Sequence, residues 1–306
     1  MFYESPGRTS AWRVGVPLAV QGQLSAIAQI FLQSSPIFGT VVLLCLYLTQ
    51  PTLALGCLLG ACIASATAWV LAFPDDDRRQ GLYSFNAALS GVGLCAGYHF
   101  GSALAAWIAV IAVLTALLSR AAQRFGIPVL TSLFVGTMWL TIGVAPLLGL
   151  QPLAHAAGPA ATTGGCSLSP LSYQFCVLGQ VSFIGPAALG MLVWAVLARH
   201  RWHLAMWTLF GSALAWCVAS SADLMLSWPV VSAQATGMGI NSALAVLALS
   251  TFGRSWPQRL LGAMLSILLC LMIGTTGQPY FTLPFVLATW VVLPLEGRLR
   301  WKTSGE

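Results

Sequence analysis

The stretch GIPVLTSLFVGTMW occupies residues 126–139, and its pattern returns as GQPYFTLPFVLATW at residues 277–290. Both copies read Gly-x-Pro-x-x-Thr-x-x-Phe, and they lie 151 residues apart in a chain of 306 residues. Proline has no backbone N–H and disfavours helix in the residue before it, so Pro128 and Pro279 are each predicted to mark the start of a helix. The sequence therefore contains the same helix break twice, once in each half.

The composition indicates a membrane protein. Hydrophobic residues make up 58% of the chain and charged residues only 7%, a balance that soluble domains do not show. Runs of about 18 or more largely uncharged residues recur along the chain, and a helix needs about that length to cross a hydrocarbon core of roughly 30 Å. We therefore expect an all-α polytopic membrane protein. The first residues, MFYESPGRTSAWRV, lack an early apolar core, which argues against a cleaved signal peptide and for a cytosolic N-terminus.

The apolar runs predict ten membrane-spanning helices in two sets of five. The predicted spans are residues 36–49, 51–73, 83–99, 101–119 and 128–149 in the first set, and 184–198, 203–228, 238–252, 257–275 and 279–295 in the second. Two weakly apolar stretches, residues 18–33 and 173–183, precede the sets and are predicted to be half-depth, re-entrant helices. This pattern divides the chain into a first repeat, residues 1–150, and a second repeat, residues 151–306.

The distribution of positive charge predicts the orientation, because lysine and arginine are retained in cytosolic loops. With a cytosolic N-terminus, all thirteen basic residues fall on the cytosolic side: Arg8, Arg13, Arg78, Arg79, Arg120, Arg124, Arg199, Arg201, Arg254, Arg259, Arg298, Arg300 and Lys302. Five spans reverse the direction of the chain, so the second set is predicted to be inverted relative to the first. Topology then explains the net charge of +6, and we expect no nucleic-acid partner.

Two further stretches are duplicated at a similar offset. GQLSAIAQIFLQSSPIFG at residues 22–39 pairs with SYQFCVLGQVSFIGPAALG at residues 172–190, and GLYSFNAALSGVGL at residues 81–94 pairs with GMGINSALAVLAL at residues 237–249. The aligned residues are Gln29 with Gln180, Pro36 with Pro186, Asn86 with Asn241, Leu89 with Leu244, and Thr131 with Thr282. Inverted repeats in transport proteins place a solute path at their interface, where broken helices meet.

On these motifs the chain resembles the bacterial and animal urea transporters, which are urea channels. The resemblance runs from the Ala-Gln-x-x-x-Gln-x-x-Pro segment at Ala28, through the Phe-Asn pair at Phe85, to the Thr-x-Pro-Phe segment at Thr282. It implies two inverted five-helix repeats, a re-entrant helix in each, a homotrimer, and one pore per protomer. Urea would pass between apolar slots, along a ladder of oxygen atoms and past a central pair of threonines. The pore residues that it implies are Gln29, Ile30, Leu32, Phe85, Leu89, Thr131, Gln180, Val181, Phe183, Ile240, Leu244 and Thr282.

The chemistry of urea agrees with these residue types. Urea is small, neutral and very polar, so a pore must replace the hydrogen bonds that it would lose in hydrocarbon. The pore must also release the solute, which favours a row of uncharged oxygens over one tight charged site. Glutamine and threonine supply such oxygens, although both also commonly bond a neighbouring helix in membranes, and that alternative stays open. Asn86 and Asn241 are predicted to tie backbone at a helix break rather than to touch solute.

Three departures from the family pattern bear on selectivity. The family usually has Phe where this chain has Ile240, an aromatic residue where it has Leu32, and Thr-x-Pro-Phe where the first copy reads Thr-Ser-Leu-Phe from Thr131. The outer slot is therefore expected to be wider or less selective, and to admit short amides, ammonia or water beside urea.

An ion-coupled secondary transporter of a small polar solute is the main alternative, because inverted repeats serve both mechanisms. Coupling generally uses intramembrane acids or bases, and this chain offers only Asp223, which is predicted either to line an outer vestibule or to bond at a helix or protomer interface. Hydrolase, metalloprotease and phosphate-loop motifs are absent from the sequence. We therefore expect neither an enzyme nor a cofactor.

The cysteines and histidines show no metal-ligand spacing, so no metal site is predicted. Six of the eight cysteines fall in apolar spans as small hydrophobic residues. Cys166 and Cys176 fall on the outer side, where a bond between them is left open. The expected location is a bacterial-type inner membrane, with both termini cytosolic and the spans in contact with lipid.

Overall fold

The computed structural model describes residues 18–153, 166–226 and 229–294, which form α-helices joined by short turns. We refer to residues 18–153 as the first half and to residues 166–294 as the second half. The first half contains α1 (Leu18–Ala28), a 3₁₀ turn (Gln29–Phe31), α2 (Pro36–Thr49), α3 (Pro51–Val70), α4 (Asp75–Arg79), α5 (Phe85–Gly97), α6 (Ser102–Arg124) and α7 (Ser132–Val144). The second half contains α8 (Pro170–Gln180), α9 (Ala187–Leu226), α10 (Pro229–Thr251), α11 (Trp256–Gly274) and α12 (Leu283–Val292).

Four helices of the described residues are long and apolar enough to cross a membrane: α3, α6, α9 and α11. A fifth candidate is the bent pair Val20–Phe31 with Pro36–Thr49, whose two parts meet at 75°. α5, α7 and α12 are apolar but shorter than a full span. These helices make the chain a multi-pass helical membrane protein, whereas the number of ten spans stays a prediction.

α9 consists of two helical segments that follow each other directly along the chain. Arg201 interrupts it with non-helical backbone angles, φ −146° and ψ 70°. The interruption lies between the predicted spans 184–198 and 203–228. In the first half, the corresponding pair α2 and α3 is separated at Gln50, which is extended and precedes Pro51 at the first turn of α3.

Pro128 and Pro279 do not begin helices, contrary to the prediction. α7 begins at Ser132 and α12 at Leu283, four residues beyond the respective prolines. The reason is the backbone between proline and helix: Leu130 has φ 49° and Phe281 has φ 48°. These left-handed conformations cannot belong to a right-handed helix, so each helix starts after them.

α10 begins at Pro229, nine residues before the predicted start at 238. The predicted spans end at 228 and resume at 238, so the residues between them were predicted to form a connection, but neighbouring elements satisfy polar groups there. The Tyr280 hydroxyl donates to Gln234 Oε1 at 2.6 Å, and the Tyr173 hydroxyl donates to the Ala235 carbonyl at 2.6 Å. Tertiary contacts therefore allow a helix where the sequence alone predicted a connection.

The helices approach closely where glycine removes the side chain. A Cβ at Gly39 of α2 would overlap the carbonyl oxygen of Leu24 in α1. A Cβ at Gly190 of α9 would overlap the carbonyl oxygen of Phe175 in α8. Small residues permit such backbone contact between membrane helices. Each short helix, α1 and α8, is thus packed against the helix that follows it.

Some predictions fall outside the described part of the chain. Those residues are Arg8, Arg13, His155, Arg298, Arg300 and Lys302, together with the side chain of Asp223. The predicted roles of these residues stay predictions.

Candidate functional site

The two threonines of the duplicated motif meet in the interior. Thr131 Oγ1 and Thr282 Oγ1 are 2.6 Å apart, and either hydroxyl can be the donor. The exposed fractions of the two residues are 4% and 6%. Thr131 directly precedes α7 and Thr282 directly precedes α12. The motif therefore brings one hydroxyl from each half of the chain to a common buried point.

Asn86 holds the turn that presents Thr131. Its Nδ2 donates to the carbonyl oxygen of Leu130 at 3.0 Å, and its Oδ1 accepts from the N–H of Phe134 at 3.0 Å. Asn86 is completely buried in the first turn of α5. The amide thus satisfies a carbonyl before α7 and an N–H in its first turn, both of which lack helical partners.

Asn241 makes the same pair of bonds in the second half. Its Nδ2 donates to the carbonyl oxygen of Phe281 at 3.0 Å, and its Oδ1 accepts from the N–H of Phe285 at 2.9 Å. Nδ2 also donates to the carbonyl oxygen of Gly237 at 2.9 Å, within α10. Asn86 and Asn241 therefore tie backbone at the two helix breaks.

Two tryptophans connect the halves across the threonine pair. Trp139 Nε1 donates to the carbonyl oxygen of Pro279 at 2.7 Å, and Trp290 Nε1 donates to the carbonyl oxygen of Pro128 at 2.8 Å. Each tryptophan is the last residue of its own copy of the quoted stretch, and it donates a hydrogen bond to the proline of the other copy. These reciprocal bonds hold the two breaks against each other.

Sequence reasoning missed this role of Trp139 and Trp290, because tryptophan in membrane proteins is most often part of an interfacial belt. Their identical position in the two motif copies was the available signal. It also missed Leu130 and Phe281, whose positive φ places the threonines. Nothing in a leucine or phenylalanine side chain indicates a left-handed conformation.

The predicted glutamines are both buried. Gln29 lies in the 3₁₀ turn after α1, and its Nε2 donates to the carbonyl oxygen of Gln80 at 3.1 Å. In that bond the amide nitrogen of Gln29 is the donor, and its amide oxygen Oε1 takes no part. Gln180 ends α8. The two glutamines thus occupy equivalent places, at the ends of the two short helices.

Each short helix is followed by a left-handed turn at a predicted site residue. Leu32 has φ 54° and Phe183 has φ 63°. Leu32 is half-buried, whereas Phe183 is buried and packs edge-on against Phe134 at a centroid distance of 6.2 Å. Phe134 also contacts Phe281 at 5.7 Å. The turn after α8 therefore reaches α7 of the first half, close to the threonine pair.

The remaining predicted site residues are buried and apolar: Ile30, Val181, Phe85, Leu89, Ile240 and Leu244. Phe85 and Leu89 lie one turn apart on α5, and Ile240 and Leu244 lie one turn apart on α10. Hydrogen bonds connect the two helix breaks, whereas the place of these apolar residues in a pore stays a prediction.

In the first half, hydroxyl groups link α5, α6 and α7. Ser90 Oγ and Thr137 Oγ1 are 2.8 Å apart, Thr141 Oγ1 donates to the carbonyl oxygen of Thr137, and Trp107 Nε1 donates to Thr141 Oγ1 at 2.9 Å. The equivalent positions of the second half are Ala245, Ala288 and Val292. The surroundings of the two breaks therefore differ in polarity.

A disulfide joins Cys166 to Cys176, with Cα atoms 5.8 Å apart, which resolves the pairing that the sequence left open. It fastens the segment before α8 to α8 itself. The same segment is held by Thr236 Oγ1, which accepts from the N–H of Cys166 at 2.9 Å, and by Trp216 Nε1, which donates to the Leu168 carbonyl at 2.7 Å.

The side chains that form hydrogen bonds around the threonine pair are uncharged. Tyr83, in the turn between α4 and α5, donates its hydroxyl proton to Asp77 at 2.9 Å. The described residues contain no cluster of His, Cys, Asp or Glu that could hold a metal ion. The site is thus built from neutral oxygens and apolar side chains.

Comparison with known proteins identifies the family. The family model described as urea transporter matches residues 20–297. A search of curated proteins finds no match to the chain. The matched range contains both copies of the motif and all the residues of the candidate site. The chain belongs to the urea transporter family.

Proposed function

We propose that the protein is a channel for the passive diffusion of urea, with a pore in each protomer at the interface of two inverted repeats, residues 1–150 and 151–306. Membership in the family implies urea transport, and the family is one of transporters rather than enzymes. The observation that carries the proposal is the buried contact between Thr131 Oγ1 and Thr282 Oγ1 at 2.6 Å.

The duplicated contacts support the repeat arrangement. Asn86 and Asn241 make equivalent pairs of bonds, and Trp139 and Trp290 make equivalent bonds in opposite directions between the halves. An exchange of this kind is expected when two copies of one unit face each other across a pseudo-two-fold axis. Ten spans and the inverted orientation of the second repeat follow from this proposal.

The proposed path runs past the threonine pair. A hydroxyl both donates and accepts, so each threonine can bond the carbonyl or an N–H of urea when the two hydroxyls part. Gln29 and Gln180 extend the row of neutral oxygens, and the ends of the two short helices add backbone carbonyls. Phe85, Leu89, Ile240 and Leu244 form the apolar walls, with Ile30, Leu32, Val181 and Phe183 beside the glutamines. Such a row binds a neutral solute weakly enough to release it.

Passive diffusion fits the charge distribution better than coupled transport. Between residues 18 and 294 the sequence contains four acids, of which Asp75, Asp76 and Asp77 lie in α4 and Asp223 lies in α9. Ion coupling generally uses paired intramembrane acids or bases. A carrier would show flux that saturates at low solute concentration or collapses with an ionophore, and we expect neither.

The family resemblance supplies the assembly that we propose, a homotrimer in a bacterial-type inner membrane. The arginines that the structure describes support cytosolic termini, because each lies in or next to a connection on the predicted inner side. Ile240 and Leu32 replace aromatic residues of the family pattern, so short amides and ammonia are proposed as minor solutes.

Stopped-flow urea flux into proteoliposomes tests the proposal. Thr131→Val keeps the shape of the side chain but removes the hydroxyl, and an unmade buried hydrogen bond costs about 1–3 kcal/mol, so urea flux should fall about 5- to 150-fold. Gln180→Leu should also lower the flux. The control is Thr115→Val, because the Thr115 hydroxyl bonds only backbone of its own helix, α6. Unchanged urea flux in Thr131→Val, or acetamide passing faster than urea in the wild type, would contradict the assignment.

A further inference from the structure

The second half carries a groove on its exterior, and none of the residues that line it is a proposed pore residue. It has a volume of about 410 Å³, within the range of small-molecule sites. Only apolar side chains line it: Met206, Trp207 and Phe210 of α9, and Trp256 and Leu260 of α11. Trp256 is 65% exposed, and Met206 and Phe210 are more than two-fifths exposed. The groove is therefore open to the surroundings of the protein and has the polarity of an acyl chain.

A guanidinium group lies beside this groove. Arg259, next to Leu260 in the sequence, stands over the ring of Trp207 at 4.7 Å from its centroid. The Nε of Arg259 is shielded from solvent and has no hydrogen-bond partner among the described residues. Arg259 forms no ion pair with a described acid, so no acid compensates its charge there. A cation of this kind is suited to a negatively charged ligand.

The charged residues that lie nearest in the sequence to the groove residues are arginines. Arg199 and Arg201 lie at the interruption of α9, before Met206, and Arg254 lies in the turn between α10 and α11. The one acid between residues 166 and 294 is Asp223, more than twenty residues along α9 from Arg201. An apolar groove beside an arginine matches a phospholipid, whose acyl chain is apolar and whose phosphate is negative.

We propose that this groove binds an anionic phospholipid of the cytosolic leaflet, with an acyl chain along Met206, Phe210 and Leu260 and the phosphate against Arg259. The guanidinium group of Arg259 lies over the ring of Trp207 and forms a cation–π contact with it. The leaflet follows from the proposed orientation. The site itself does not depend on the path of urea.

A second copy of the chain fits this surface less well. A copy would have to bring an acid to the arginines, and two of the three acids of α4 are already engaged. Asp75 pairs with Arg78, and Asp77 accepts from the hydroxyl of Tyr83. An anionic lipid is abundant in the membrane around the protein and needs no such rearrangement.

Native mass spectrometry of the full-length purified protein tests the proposal. The probes are phosphatidylglycerol and phosphatidylcholine with identical acyl chains, added in equal amounts. Wild type should retain phosphatidylglycerol in excess, and Arg259→Gln should lower that preference about fivefold, the effect of one basic residue near an anionic headgroup. Trp207→Leu should lower it as well. The control is Arg124→Gln, an exposed arginine in the last turn of α6, which should leave the preference unchanged.

Three outcomes would overturn the inference. Equal retention of the two lipids by the wild type would make the groove an ordinary part of the lipid-facing surface. An equal loss of preference in Arg259→Gln and Arg124→Gln would show general charge attraction. A change of oligomeric mass in Arg259→Gln and Trp207→Leu, without a change in lipid preference, would make the surface an interface between copies. Urea flux, measured in parallel, separates a failure of this inference from a failure of the proposed channel.

Discussion

The first half and the second half share the contacts that meet at the central threonines and differ in the packing behind them. Thr131 and Thr282, the two asparagines and the two tryptophans form equivalent bonds. Behind them, the first half has a chain of hydroxyls from Ser90 to Thr141, whereas the second half has alanine and valine. Equivalence is therefore retained at the two helix breaks, and it is lost in the hydroxyl groups packed behind them.

Loss of the asparagine clamps should have the largest effect. Asn86→Ala leaves the Leu130 carbonyl and the Phe134 N–H unpaired in the interior, and each buried unpaired group costs about 1–3 kcal/mol. We expect a loss of about 2–5 kcal/mol of unfolding free energy for Asn86→Ala, and a similar loss for Asn241→Ala, measured by thermal unfolding in detergent. A large effect in one half and none in the other would show that the two breaks are not equivalent.

Loss of either tryptophan bond should have a smaller effect. Trp139→Phe and Trp290→Phe keep an aromatic ring but remove the N–H that reaches the proline carbonyl of the other half. Each variant should lose about 1–2 kcal/mol of unfolding free energy, and each should raise acetamide flux relative to urea flux because the two breaks are held less firmly. The same flux ratio in wild type and variants would limit these bonds to stability. Trp256→Phe, at the surface groove, is the matched control for the loss of an indole.

The hydroxyl chain of the first half should matter least. The double variant Ser90→Ala with Thr137→Ala copies the alanines of the second half, and replacing both partners of a hydrogen bond can be nearly neutral. We expect a loss below about 1 kcal/mol in thermal unfolding and unchanged urea flux. The single variant Ser90→Ala should cost at least as much as the double. A strong loss of urea flux in the double variant would place these hydroxyls on the solute path.

The sequence predicted the helical elements well because their physical signals are local. Apolar length and proline or glycine breaks placed a helix in every predicted span, and α2 matches its predicted bounds. The starts of α7, α10 and α12 were wrong for non-local reasons. Left-handed residues delay α7 and α12, and hydrogen bonds to Gln234 and Ala235 extend α10 toward its N-terminus.

For the candidate site, duplication identified residues but not their partners. Thr131 and Thr282 stood out because they recur, and the structure places them in contact. The exchange of bonds by Trp139 and Trp290 could not be read from composition, because it depends on how two distant segments face each other. The pairing of Cys166 with Cys176 was undecided for the same reason.

The most direct test of the account is urea flux through a Thr131→Cys and Thr282→Cys double variant in the presence of cadmium ions. Two facing thiolates bind a soft metal ion, so cadmium should block urea flux in the double variant, and a chelator should restore it. The single variants and the wild type should be far less sensitive, because they carry at most one thiol at this point. Urea flux through a conducting double variant that cadmium leaves unchanged would contradict a path between the two threonines.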